Sequence, residues 1–119
     1  MIEPGEVEIK LKHLERELAR KRIVRYNTLW FERLKDIIRE KMYLVTPDDY
    51  LKLAEMWKID GNERKRKQTV NQVLRTMYMN KILDIVAPGT YMINPVILAY
   101  LNGDYSIEDV VKAITNGSA

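Results

Sequence analysis

Seven side chains clustered between positions 64 and 75 have the chemistry to hold a polyanion and read it: Arg64, Lys65, Lys67, Gln68, Asn71, Gln72 and Arg75. Arginine, glutamine and asparagine offer paired donors and acceptors that match the major-groove edges of guanine and adenine, and the cations can meet phosphates. At 3.6 residues per helical turn, Gln68, Gln72, Arg75 and Met79 share one face, with Arg64, Lys65 and Asn71 on its flanks. Arg66 falls on the opposite, apolar side. No acid interrupts residues 64–83. Each of these residues alone is what any solvated helix face carries. Their co-occurrence without acids points to an anionic partner.

A second basic cluster, Arg16, Arg20, Lys21, Arg22 and Arg25, closes the first helical segment. Cations suit a helix C-terminus, which accounts for part of it. Arg20, Lys21, Arg22 and Arg25 are also candidate contacts to a nucleic-acid backbone. Catalytic constellations, by contrast, are missing. His13 is the single histidine, cysteine is absent, and the two serines, Ser106 and Ser118, have no histidine base beside them in sequence. The five glycines are isolated turn residues rather than a phosphate-cradling loop. Asp48-Asp49 and Glu108-Asp109 fall in first helical turns, where dipole compensation explains paired acids. The sequence therefore predicts no enzyme, no metal, no cofactor and no small-molecule ligand.

Several elements must position the reading face. Val7, Leu11, Leu14 and Leu18 form a heptad-like stripe on a helix over 6–22, although Val7, Ile9 and Leu11 also alternate as a strand would. A second helix is expected over 28–42, with Leu29, Trp30, Leu34, Ile37, Ile38 and Met42 facing the core. Tyr43-Leu44-Val45 reads as an extended link. Thr46-Pro47-Asp48-Asp49 then starts a third helix: threonine as N-cap, proline at the first position, acids in the first turn. That helix carries Leu51, Leu53, Ala54 and Trp57 and stops in the turn-rich run at 59–62. A fourth helix is expected over 64–80, buried through Val70, Val73, Leu74 and Met77. Strands over 82–87 and 90–93 follow, joined by Pro88-Gly89. Asn94-Pro95 opens a short helix, and Ser106 with Asp109 opens the last. The order of helices followed by a hairpin predicts a mainly α fold with a small β-hairpin. It is a winged helix-turn-helix with extra N-terminal and C-terminal helices, and α-helix 64–80 is the recognition helix.

The chain has 119 residues, 46% hydrophobic and 31% charged, which suits a folded globule rather than disorder. The expected division is a basic N-terminal helical extension at 1–27, whose stripe can serve a homodimer, pack on the core or leave the helix to reach along DNA, a winged-helix domain at 28–103, and a C-terminal helix at 104–119 packed on it. Charge is uneven: residues 1–81 hold 19 Lys+Arg against 13 Asp+Glu, and residues 82–119 hold one Lys against four acids. No apolar run approaches the ~18 residues of a membrane span, and the N-terminus is acidic where a signal peptide is basic. A cytoplasmic protein without membrane contact is expected.

The stretch Ala87-Pro88-Gly89-Thr90-Tyr91-Met92-Ile93-Asn94-Pro95, followed by Gly103, resembles the Gly-x-Tyr-Met-Ile-Asn-Pro ending of small winged-helix plasmid replication initiators of the RepL type. The resemblance covers about residues 28–103. It implies a DNA-binding protein of a plasmid, virus or integrated element, acting in replication initiation or copy control; transcriptional regulation needs the same module. Two departures stand out. Between Ile59 and Thr69 there are about six residues more than a compact helix-turn-helix needs, and both chain ends lie outside the match. The alternative class is a winged-helix adaptor for protein partners. The neutral wing tip and the acids Asp104, Glu108 and Asp109 keep it open.

Overall fold

The structure is a computed structural model that describes residues 4–21 and 28–116. Its elements run α1 (Pro4–Arg20), α2 (Thr28–Arg39), β1 (Leu44–Val45), a 3₁₀ turn (Pro47–Asp49), α3 (Tyr50–Met56), α4 (Glu63–Met79), β2 (Leu83–Ala87), β3 (Thr90–Ile93), α5 (Pro95–Leu101) and α6 (Ile107–Asn116). They fall into two compact units, one of residues 1–41 with 94–119 and one of residues 42–93. This grouping differs from the expected boundaries at 27/28 and 103/104, because α2 packs with α1 and α5 packs with α6.

The helical unit is built on the α1 stripe. Val7, Leu11, Leu14 and Leu18 are buried together with Phe31, Leu34 and Ile37 of α2, Ile97, Tyr100 and Leu101 of α5, and Val110 and Ile114 of α6. The heptad-like spacing is thus satisfied within the chain. Of the roles the sequence leaves open for the stripe, the structure describes packing within the chain. Ile9, the residue that made a strand conceivable, is exposed on the helix, and so is His13. A reciprocal pair ties α1 to α5. The Tyr100 hydroxyl donates to the Lys10 carbonyl at 2.9 Å, and the Lys10 ammonium donates to the Tyr100 carbonyl at 2.9 Å. The expected Ser106–Asp109 capping box forms in full: the Ser106 amide donates to Asp109 Oδ2 at 3.0 Å, and the Asp109 amide donates to Ser106 Oγ at 3.1 Å. These amide and hydroxyl partners hold the Asp109 carboxyl below its ordinary pKa.

The second unit holds helix, turn, helix and sheet. Ahead of α3, the Thr46 amide and hydroxyl both reach Asp49 Oδ2, at 2.9 and 3.4 Å, and the Asp49 amide returns a bond to the Thr46 carbonyl. Ala54 is fully buried on α3, which packs against α4. The turn occupies 57–62. The residues beyond a compact helix-turn-helix belong to α4, which begins at Glu63 because Asn62 caps it, Oδ1 accepting from the Lys65 amide at 2.8 Å.

The sheet is antiparallel with order β1-β3-β2. Tyr43-Leu44-Val45, expected as a link, contributes a third strand: Leu44 pairs with Met92 and Val45 with Tyr91. Two residues are too few to show alternation in sequence. In the hairpin, Leu83 faces Ile93 and Ile85 faces Tyr91, but Ala87 faces Thr90, so Val86 is an extra residue, a β-bulge. The bulge adds local twist, which lets a Pro-Gly turn close a hairpin it would otherwise suit poorly. Gly89 has φ +74, as the third position of a type II turn requires. Val45, Tyr91, Ile93, Leu83 and Ile82 join Leu53, Val70, Leu74 and Met77 in this unit's core. The fold is a winged helix-turn-helix with flanking helices.

Candidate nucleic-acid interface

Periodicity places α4. Val70, Leu74 and Met77 are buried, which turns the far side of the helix outward. The structure puts Arg64, Lys65, Gln68, Asn71, Gln72 and Arg75 at exposed positions on that side and leaves Lys67 half-buried. Among the described residues, the side chains of Arg64, Lys65, Gln68, Gln72 and Arg75 take part in none of the hydrogen bonds or ion pairs. Their donors and acceptors are directed at solvent and open to a ligand. The threonines interleaved with them are different: Thr69 and Thr76 hydroxyls donate back to the Lys65 and Gln72 carbonyls, each at 3.0 Å.

Two predicted residues are less free. Lys67 Nζ pairs with Glu63 Oε1 at 3.1 Å, one turn back. Glu63 is the one acid on α4 and lies just outside the acid-free stretch 64–83. An exposed pair of this kind is worth only ~0.3–0.5 kcal/mol, so phosphate could compete for Lys67. Asn71 is committed more firmly. Its Oδ1 lies 3.1 Å from the Tyr50 hydroxyl and 3.2 Å from the Tyr91 hydroxyl. The Tyr50 hydroxyl also makes a short contact with the Gly89 carbonyl at the wing turn. A hydroxyl has one proton; the Tyr50 hydroxyl has two acceptors in reach, the Gly89 carbonyl and Asn71 Oδ1, and the Tyr91 hydroxyl donates to Asn71 Oδ1.

Tyr50, Asn71, Tyr91 and Gly89 thus form a clip joining α3, α4 and the turn between β2 and β3. Burial, with the neighbouring Tyr91, pushes the Tyr50 hydroxyl up to about 12. Burial also pushes Tyr91 up, while the Arg75 guanidinium pulls the other way. A Cβ on Gly89 would sit 3.2 Å from the Tyr50 hydroxyl and 3.3 Å from Pro47 Cγ, so close approach as well as φ selects glycine. The Tyr78 ring adds a tilted contact to Tyr91, centroids 6.5 Å apart. Sequence reasoning reads Tyr91 and Ile93 as packing the hairpin on the core, and both are buried; it missed Tyr50 and the contact from Tyr91 to Asn71. The available signal was the motif's Gly-x-Tyr, but nothing local indicated what the tyrosine would touch.

Of the second basic cluster, Arg20 and Lys21 belong to the helical unit and are exposed. Arg20 is engaged by Glu17 through two bonds, Nη2–Oε2 at 2.9 Å and Nε–Oε1 at 3.3 Å, which raise the arginine's pKa and lower the glutamate's. Arg22 and Arg25 lie outside the described residues. Arg66 is half-buried on the apolar side as expected, and its Nε is buried without a hydrogen-bond partner.

Among the described residues there is no group of three or more His, Cys, Asp or Glu side chains able to hold a metal ion. None of the described helices is long and apolar enough to cross a membrane. Fold and surface together define a winged-helix protein whose α4 presents a polar and cationic face, with Arg64, Lys65, Gln68, Gln72 and Arg75 unpaired among the described residues. No protein family, curated protein or solved structure matches the chain.

Proposed function

We propose that this protein is a cytoplasmic, non-enzymatic DNA-binding protein that lays α4 in the major groove of a duplex. The observation that carries the reading is the set of exposed, unpaired side chains Arg64, Lys65, Gln68, Gln72 and Arg75 on one helix face. Gln68 and Gln72 sit at the centre of that face, where bidentate amides read adenine. Arg64 and Lys65 flank the helix N-terminus, where backbone amides also favour phosphate. The biological process is taken from the RepL resemblance alone, replication initiation or copy control of a plasmid, virus or integrated element, while the motif's own residues serve the wing's geometry; transcriptional regulation would use the same surface. A two-fold homodimer reading half-sites ~34 Å apart would need a surface other than the α1 stripe.

The adaptor reading calls for acids or apolar residues over the recognition helix. Glu63 is the single acid on α4, at its edge, so the helix face favours DNA. The test is binding of labelled duplex across a salt series, comparing wild type with Arg64→Ala/Lys65→Ala/Arg75→Ala. Log affinity against log salt should flatten by ~0.9 for each phosphate that the variant no longer neutralises. Folded wild type that binds no duplex even at low salt would discard the proposal.

A further inference from the structure

The wing tip is apolar where a phosphate-tracking wing would be cationic. From Ile85 to Ile93 there is no charged residue of either sign. Ile85 and Val86 are 47% and 56% exposed, and Ala87 and Pro88 are exposed beside them. In a regular strand, successive side chains alternate between faces. The bulge at Val86 breaks that alternation, which is how four consecutive apolar residues come to face solvent at the end of one ribbon.

This tip is held against the reading helix. The Tyr50 hydroxyl fastens the Gly89 carbonyl, and Tyr91 on the returning strand fastens Asn71 of α4. The tip therefore travels with the face carrying Arg64, Gln68 and Arg75. A stable protein interface buries roughly 800 Å² from each partner, more than four small or medium side chains at a ribbon end present. Past Glu63, α4 carries no acid and its cations complement phosphate; Asp84 on β2, just before Ile85, is the one acid of the hairpin.

We infer that Ile85, Val86 and Pro88 form an apolar wedge that enters the minor groove, unstacks a base step and bends the duplex bound by α4. Apolar wedges of isoleucine and proline act this way in architectural DNA-binding proteins. The inference rests on the DNA-binding reading above and adds deformation to it. Flexible steps, TA and CA/TG, should then be preferred at the site of insertion, because they unstack most easily.

The test uses the full chain with a duplex of about 30 base pairs, two to three helical turns, labelled at both ends for energy transfer and carrying 2-aminopurine at successive positions. Wild type should shorten the end-to-end distance, consistent with a bend of about 20–90°, and brighten 2-aminopurine at a localised step. Ile85→Thr/Val86→Thr keeps β-branched shape at exposed positions, and circular dichroism checks its fold. It should bind with the same salt slope, lose at least half the bend and leave 2-aminopurine quenched. Pro88→Ala supplies a second variant, with a smaller loss of bend. Salt-dependent binding by wild type to straight, stacked DNA would overturn the wedge and leave the DNA-binding reading standing. A double variant that bends DNA like wild type, or that turns a wild-type dimer into a monomer by sedimentation, would also overturn it. Wild type that binds no duplex would overturn both readings.

Discussion

Asn71 offers the sharpest discrimination between reading DNA and positioning the parts that read it. Its residue type and helix position suit a base contact, yet its carbonyl oxygen accepts from Tyr91 at 3.2 Å and lies 3.1 Å from the Tyr50 hydroxyl. Consider Asn71→Ala, Tyr91→Phe and the double variant. Asn71→Ala leaves the Tyr91 hydroxyl without the acceptor it has here, and an unsatisfied buried polar group costs about 1–3 kcal/mol. Because the Asn71 position is exposed, water can replace part of the missing bond, which favours the lower end, about 1–1.5 kcal/mol. Tyr91→Phe removes one net hydrogen bond, about 1 kcal/mol. In the double variant nothing is left unpaired on that side, so the losses should not add. A coupling energy of about 1 kcal/mol is expected from urea unfolding of the four proteins, within the range for contacting residues.

Alkaline pH supplies a second signature of the clip. The folded-state Tyr50 pKa, about 12, exceeds the ordinary tyrosine value of about 10. Between those values the native state retains a proton that the unfolded state has released. Stability contributed by this hydroxyl is therefore present below about pH 10 and is lost as pH rises toward 12. Tyr50→Phe should remove that part of the alkaline decline. DNA binding then separates the two roles. If Asn71 positions the wing, Asn71→Ala and Tyr91→Phe should weaken binding alike and leave base preference unchanged. Additive stability losses, with coupling below about 0.3 kcal/mol, would refute the clip. A change in base preference confined to Asn71→Ala would make Asn71 a reader instead.

Two other substitutions test the packing that supports the site. Glu15 is buried on α1, and its pKa is raised first by burial and then by Glu32. Between the unfolded value and the raised folded one, the native state holds a proton that the unfolded state has released, so this group's contribution falls as pH rises above the ordinary glutamate range. Glu15→Gln should melt at a higher temperature than wild type at about pH 7, with the gap closing toward about pH 4; a lower melting temperature at neutral pH would show that the carboxylate is held by partners that outweigh burial. Lys58 ends α3 at φ 54, its amide donating to Glu55 and the Ile59 amide to Ala54. This left-handed cap costs a non-glycine residue about 1 kcal/mol. Lys58→Gly should therefore raise the denaturant midpoint by up to about 1 kcal/mol in stability, and a fall would show that the lysine's charge at the helix end is worth more than the strain.

Much of the architecture was legible because it rests on local signals. Thr46-Pro47, Asn94-Pro95 and Ser106 with Asp109 mark helix starts by chemistry that acts within three residues, and each starts a helix or helical turn in the structure. What periodicity could not say is what a stripe packs against. The 7, 11, 14, 18 spacing reports burial, and burial against α2, α5 and α6 has the same signature as burial against a second chain. Phe31 shows the converse: it is buried on α2 but is not among the expected core positions, because Leu29 and Trp30 already fill the periodic pattern. Strand β1 has only Leu44 and Val45, and its existence depends on pairing with β3, 46 or more residues downstream. The Asn71 contacts are of the same kind, spanning 20 and 21 residues.

The Gly-Thr-Tyr-Met-Ile-Asn-Pro stretch shows how a motif can carry a fold without carrying a function. Gly89 takes positive φ and makes room for Tyr50. Tyr91 fills the core and bonds Asn71, and Ile93 packs two positions on. Asn94 Oδ1 accepts from the Val96 amide, and Pro95 occupies the first turn of α5, where its missing N–H costs nothing. Every one of these roles would be kept in a winged helix that never met DNA. The motif therefore supports the wing's geometry, and the functional reading has to rest on side chains the fold does not need. Arg64, Lys65, Gln68, Gln72 and Arg75 meet that condition: they are exposed and unpaired among the described residues, and replacing them should leave stability nearly unchanged, within about 0.5 kcal/mol each. A loss of duplex binding without a loss of stability is the outcome that only a binding face produces.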